Sequence, residues 1–281
     1  MIIYDQLGES GGRLGNQLFQ VAATLTHAKK VGTPACFNPW KYRDYFKKKI
    51  DCSITQPGVL QRNGTQYTMV HRPHVHYEPL PQSDNLYLLG WFQSWKYVDE
   101  DIIREYFKPC STFVSELFQI AYKLLTGNYN NWDIALHVRR TDYVIPAKGM
   151  VANYYHNLSL EYYEQALMRI MKVDGKKNLN VTVFSDDIPW CRNEFPKLKL
   201  PLQFIYSEGN SDIVDLFMMA LHRHQIISNS TYPWWAAMLR KVIYPRLGKQ
   251  IVISPRQWFG SGKETGDTNT RDIYCPGWIM I

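Results

Sequence analysis

The chain is poor in the features that define several protein classes. No apolar run among its 281 residues approaches the ~18–20 that a bilayer span requires. The opening Met1-Ile2-Ile3-Tyr4-Asp5 lacks a basic segment followed by a long apolar one, so no cleaved signal is expected. The five cysteines (Cys36, Cys52, Cys110, Cys191, Cys275) are odd in number, widely spaced and form no CxxC pair. That pattern argues against a zinc ribbon or a disulfide framework and fits a reducing cytosol. Without a secretion signal, the Asn-x-Ser/Thr triplets at Asn63, Asn157, Asn180 and Asn229 read as chance. There is no internal repeat, no low-complexity tract, no basic tail and no arginine–glycine stretch, and Lys47-Lys48-Lys49 reads as a solvated face. With 45% hydrophobic and 20% charged residues, disorder is also disfavoured. What remains is a soluble globular protein long enough for two modest domains. Its net charge of +7 suits an anionic ligand, a nucleic acid or an acidic surface without choosing among them.

From about Asp133 onward, short β-rich runs alternate with longer amphipathic ones. The pattern predicts strands at 134–138, 181–184 and 203–206, one centred on 226–227 and one at 250–253. It predicts helices at 160–171, 213–222 (with Asp212 as N-cap) and 233–241. Alternating strands and helices imply βαβ units and a parallel, doubly wound sheet. The first half opens similarly, with a strand at 2–4, a glycine-rich turn and a helix in which Leu18, Val21, Ala22, Leu25 and Ala28 share one face. Lys29 and Lys30 suit its last turn and Gly32 its close. Residues 56–85, rich in Pro, Asn, Gln and His, read as long loops. The linker is expected at 128–131, dividing the chain into domains 1–128 and 129–281.

Four segments carry possible chemistry. In Gly11-Gly12-Arg13-Leu14-Gly15-Asn16-Gln17, glycines between a strand and a helix let backbone amides approach a phosphate, with a guanidinium and two amides beside them. The spacing matches neither GxGxxG nor a Walker loop. A tight turn that needs glycine only for its backbone angles explains the segment about as well. In His137-Val138-Arg139-Arg140-Thr141-Asp142, a strand ends in two arginines at the carboxyl edge, where open α/β sheets bind ligands. One arginine can fork onto a pyrophosphate while the other pairs with Asp142, or both can simply be salt-bridged. In Phe184-Ser185-Asp186-Asp187, a carboxylate can accept the two N–H groups of a guanine edge, or cap the following helix. Ser228-Asn229-Ser230-Thr231, before a helix with Pro233 in its first turn, suits an anion cradle. Of Trp234 and Trp235, at least one is expected in the core.

Together with Gly90-Trp91-Phe92-Gln93-Ser94-x-Lys96-Tyr97, these four segments resemble, in order from residue 11 to about 239, the motif series of glycosyltransferase family 11, the α-1,2-fucosyltransferases. Departures occur at Thr141, where many members carry Gly, and at Tyr232-Pro233, often Phe-Ser. The resemblance implies an α/β fold of the GT-B type, two Rossmann-like domains facing across a donor/acceptor cleft. The 1–128 domain would lie on the acceptor side, and 129–281 would bind the nucleotide sugar. It implies inverting, metal-independent transfer of L-fucose from GDP-β-L-fucose to a galactose-containing glycan acceptor, with no cofactor. On the resemblance, Arg139 binds the donor's β-phosphate, with Arg140 beside it. His137 and one of Asp186 and Asp187, with Asp187 favoured, hold the guanine next to Ser185. Asn229, Ser230 and Thr231 line the pyrophosphate, while Arg13, Asn16, Gly12 and Gly15 face the diphosphate and fucose from the other domain. Because family members from eukaryotes carry a membrane anchor, a cytoplasmic enzyme of bacterial or viral type is expected.

The base that takes the acceptor proton is open. Asp142, three residues beyond Arg139, is the first candidate; it could equally be Arg140's structural partner, and a highly dissociative transition state needs no strong base. Asp99-Glu100-Asp101 has the Asp-x-Asp form that holds divalent ions in other transferases, yet acids at a helix start complement its dipole, and that reading is preferred. His74-Val75-His76, flanked by Pro73 and Pro79, reads as a loop rather than a metal site. The rival functions are a transferase using another nucleotide sugar, a single-stranded nucleic-acid-binding protein and a carbohydrate-binding module. The lack of a clustered basic stripe weighs against nucleic acid. Trp40, Tyr42, Tyr45, Tyr77, Trp91 and Trp95 suit sugar stacking or core packing equally.

Overall fold

The computed structural model describes residues 1–8, 12–56, 58, 60–62, 64–73, 75–124, 132–145, 154–176, 179–260 and 269–281. The expected linker, Gly11 and His74 lie outside them. The chain forms two compact units, Met1–Val114 with Gly266–Cys275, and Ser115–Thr265 with Pro276–Ile281. No helix among the described residues is long and apolar enough to cross a membrane.

In the first unit, β1 (Ile2–Tyr4) leads through the glycine-rich turn into α1 (Leu14–Val31), and β2 (Ala35–Phe37) follows. The helix ends as its sequence dictates. Lys29 and Lys30 occupy the last turn, and Gly32 at φ 67° turns its N–H back onto the Lys29 carbonyl. A small antiparallel hairpin, β3 (Gln61–Arg62) with β4 (Thr65–Gln66), precedes β5 (Thr68–Arg72) and β6 (Leu86–Gly90). The main sheet has the order β2-β1-β6-β5, and all its pairings are parallel. β5 corrects the expectation of uninterrupted loops across 56–85. Only Val70 of this edge strand is buried, so it carries no apolar run for the sequence to show. α2 (Glu100–Tyr106) starts at Asp99, and α3 (Ser111–Leu124) carries the chain into the second unit.

The second unit contains β7 (Ile134–Val138), α4 (Thr141–Val144), α5 (Leu160–Asp174), β8 (Leu179–Ser185), α6 (Ile188–Glu194), β9 (Leu202–Tyr206), α7 (Asp212–Ala220), β10 (His224–Ile226), α8 (Thr231–Ile243), β11 (Val252–Ser254) and β12 (Ile279–Met280). Its six-stranded sheet runs β12-β11-β10-β7-β8-β9, again with every pairing parallel. All five residues of β7 are buried, the signature of a central parallel strand covered on both faces. Ile134, Leu136 and Val138 pack in one cluster with Val181, Val183, Ile226, Ile253 and the α5 side chains Tyr163, Ala166, Leu167 and Ile170. Each such aliphatic burial stabilises the fold by about 1.5–3 kcal/mol. Trp234 and Trp235 are both fully buried core residues. One boundary is corrected: Ser211, not Asp212, occupies the N-cap position of α7, and Asp212 is the first helical residue.

Candidate functional site

The strand order of the second sheet reverses between β7 and β10, the position at which doubly wound sheets open a crevice beyond their carboxyl ends. His137 and Ser228 meet across that point, Nδ1 to Oγ at 2.8 Å, and the Tyr232 ring stands edge-on to the imidazole at 5.5 Å. Burial holds the His137 imidazole well below its ordinary range, helped by the Arg139 charge and opposed by Asp186. At neutral pH the ring is therefore uncharged and offers one donor and one acceptor.

Beyond β7, both arginines are ion-paired. Arg139 lies between two carboxylates, Nη2 at 2.5 Å from Asp142 Oδ1 and Nη1 at 2.9 Å from Asp186 Oδ2, with the Tyr143 ring 5.5 Å from its guanidinium carbon. Arg140 donates from Nε to Asp187 Oδ2 at 3.2 Å, and its guanidinium carbon stands over the Trp190 ring, 4.0 Å from its centre. Asp142 therefore pairs with Arg139, which corrects the alternative that made it Arg140's partner. Asp186 also accepts from the Arg140 backbone N–H at 2.9 Å and from Thr141 Oγ1 at 2.5 Å. Burial pushes its carboxyl up, but Arg139, Thr141 and the Arg140 amide outweigh this and hold it below the usual carboxylate range.

Asp187 fills the capping role left open by the sequence. Its Oδ1 accepts from Trp190 N at 3.1 Å, at the start of α6, and its own N–H donates to Ser185 Oγ at 2.9 Å. On the β10 side, Ser230 caps α8 by accepting from Tyr232 N, and Thr231 is the first helical residue. The buried Asn229 side-chain amide donates to the His156 and Trp258 carbonyls at 2.9 and 2.7 Å, and the Asn229 backbone carbonyl accepts from Tyr143 Oη at 2.9 Å. Asn229 thus holds the loop together, and the Tyr143 ring that reaches it stacks on Tyr155 at 4.1 Å. One edge of the unit therefore collects His137, Arg139, Arg140, Asp142, Ser185, Asp186, Asp187, Asn229, Ser230 and Thr231. Ser228, named with the expected anion cradle, bonds His137; Thr141, Tyr143 and Trp190 join the group without having been assigned a role from the sequence. Trp190 and Tyr143 left no signal there, because an aromatic on a short helix is usually core.

Arg13, Asn16, Gly12 and Gly15 belong to the first unit. Arg13 is exposed at the N-cap of α1, and Gly15 is buried in its first turn. Gly12 has φ +80°, and a Cβ there would come within 2.5 Å of Asn16 Nδ2. Gln17 clamps the turn by donating to the Gly8 and Gly12 carbonyls and accepting from Trp40 Nε1 at 2.9 Å. Asp99 accepts from Asp101 N at 2.7 Å and pairs with Lys29 at 2.8 Å, as expected of a helix start.

The model of the family described as glycosyl transferase family 11 matches residues 9–281. The chain belongs to that family. An O-antigen biosynthesis glycosyltransferase of Escherichia coli is 33% identical to this family 11 chain over 57% of its length and 47% of the relative's. An alpha-1,2-colitosyltransferase of the same organism is 31% identical over 69% of this chain and 61% of its own. The chain thus spans about half to three fifths of the length of these two relatives. A galactoside 2-alpha-L-fucosyltransferase of Caenorhabditis elegans is 26% identical over 81% of this chain and 67% of its own. Among solved structures, POFUT1 in complex with GDP and in complex with GDP-fucose each superimpose with a TM-score of 0.54. They cover 89% of this chain and 97% of theirs at 14% and 12% identity. The fold of this family 11 chain is α/β of the GT-B type, with two Rossmann-like units.

Proposed function

We propose that this family 11 glycosyltransferase moves L-fucose from GDP-β-L-fucose to a hydroxyl of a glycan acceptor, O-2 of a terminal galactose, with inversion at C1. The observation that carries the reading is the pair of arginines following β7, beside the strand-order reversal between β7 and β10. The relatives named as a colitosyltransferase and a galactoside fucosyltransferase, and the fold shared with POFUT1 in complex with GDP-fucose, support the choice of donor.

Transfer builds an oxocarbenium-like centre at C1 while negative charge gathers on the departing GDP. In this reading Arg139 and the capped start of α8 near Ser230 and Thr231 stabilise that charge, with Arg140 beside them. Asp142 and Asp186 hold the Arg139 guanidinium in place, so it needs little reorganisation as the charge develops. His137 and Asp187 meet the guanine, His137 as a neutral ring and Asp187 through the lone pairs left by its cap and ion pair. In the same reading Arg13 and Asn16 contact the diphosphate and sugar. We propose no metal requirement, since guanidinium groups fill the role of a divalent cation, and the ties of Asp99 to Asp101 N and Lys29 support a structural role for the Asp-x-Asp sequence.

Radiolabelled GDP-fucose offered with galactose-terminated acceptors, followed by linkage analysis, tests the reaction. Competition among GDP-fucose, a colitosyl donor, GDP-mannose and UDP-sugars tests the donor. Full turnover in excess EDTA is expected. Purified protein that ignores GDP in a calorimeter overturns the reading.

A further inference from the structure

In the sheet order β2-β1-β6-β5, β1 and β6 are parallel neighbours, so their carboxyl ends lie side by side at one edge of the first unit. The β1 side leads into Gly12 and Asn16. The β6 side leads into residues 90–97, a loop held in costly geometry. Gly90 has φ +123°, and a Cβ there would lie 2.0 Å from the Arg72 carbonyl oxygen. Phe92, at φ 52°, is the one non-glycine residue with positive φ among the described residues. A bulky side chain is strained there, and such strain gathers at functional sites. Burial keeps Phe92 in place, with its ring edge-on to Tyr4 at 6.4 Å and Tyr97 at 5.4 Å.

The next residue receives the benefit of that geometry. Gln93 Nε2 donates to Asn16 Oδ1 at 3.0 Å. With its oxygen engaged, the Asn16 amide is fixed in one sense, its nitrogen lying over Gly12 where no Cβ fits. Asp272 braces the same loop from behind. Its carboxylate meets Lys96 Nζ at 2.6 Å and Tyr77 N at 2.9 Å, and its carbonyl accepts from Trp95 N at 3.1 Å.

We infer that Gln93 is a positioning residue that sets the orientation of the Asn16 amide toward the sugar diphosphate. This rests on the proposed function, in which Asn16 meets the donor. In the full-length protein, Gln93→Ala is expected to lower kcat/KM for fucosyl transfer about 10- to 100-fold. The double variant with Asn16→Ala should be no slower than Asn16→Ala alone. Gln93→Glu supplies a readout that a general loss of structure would not move. Ionised, it has no proton to donate to Asn16; protonated, it regains one. Its activity relative to Gln93→Ala should therefore rise as pH falls from 8 to about 5. Additive losses in the double variant, or a flat ratio across that range, overturn the assignment. Failure of the donor reading is seen separately, in wild-type protein that neither binds GDP nor turns over GDP-fucose.

Discussion

Arg139 holds two carboxylates at once, and its removal acts on both activity and stability. Arg139→Ala takes away the charge expected to receive the leaving group, a loss that typically costs about 10²–10³ in rate. It also leaves Asp142 and Asp186 facing each other without their shared cation, so the variant should melt earlier than wild type. Turnover measured well below its melting temperature should be under a tenth of wild type; a higher value removes Arg139 from the chemistry. Asp142→Asn separates two roles. As the orienting partner of Arg139, it should lose roughly 1–2 kcal/mol in urea unfolding while turnover falls less than in Arg139→Ala. A loss of turnover as deep as that of Arg139→Ala, with unchanged melting, makes Asp142 the base instead.

Glycines at the ends of α1 and β6 differ in what surrounds them. Gly32 sits at φ 67° with open space where a Cβ would stand, so Gly32→Ala should cost only the left-handed backbone penalty of about 1–2 kcal/mol. Gly90→Ala drives a methyl group into the Arg72 carbonyl across the β5–β6 pairing and should cost clearly more in the same urea titration. Equal costs would mean that the β5 edge simply moves aside. The same elements show what the sequence could reveal. β7 and β8 were legible because strands buried on both faces are continuous apolar runs, and α1 because its face and its Gly32 stop agree. β5 was hidden, since an edge strand with one buried residue has no such pattern. The ion pairs were hidden for another reason. Arg140 meets Asp186 and Asp187 only because β7 and β8 align Val138 with Ser185, a register joining residues 47 positions apart. Sequence spacing could therefore name the arginines and carboxylates but not decide who pairs with whom.

Across the whole chain, burial lowers the affinity of His27, His137, His222 and His224 for protons. The unfolded chain, with imidazoles near 6.5, binds more protons than the folded one below that pH, so stability present above it is lost on acidification. His222, pushed down to about 4 by burial, should alone account for about 2 kcal/mol between pH 7.5 and 5. Asp215, whose carboxyl burial raises, acts in the opposite direction. The lowered Asp186 and Asp272 carboxyls add their loss only below the ordinary aspartate value of about 3.8. Unfolding free energies at the two pH values should fall in acid, and His222→Gln should flatten the slope; an unchanged slope removes His222 from the account. The return of Gly266–Cys275 to the first unit bears on biosynthesis. Lys96 and the Tyr77 amide wait for an aspartate that the ribosome adds almost two hundred residues later, so the amino-terminal half cannot finish folding as it emerges. A chain cut near residue 260 would lose the brace of the loop at 90–97, and damage at one end of the gene product would be felt at the other.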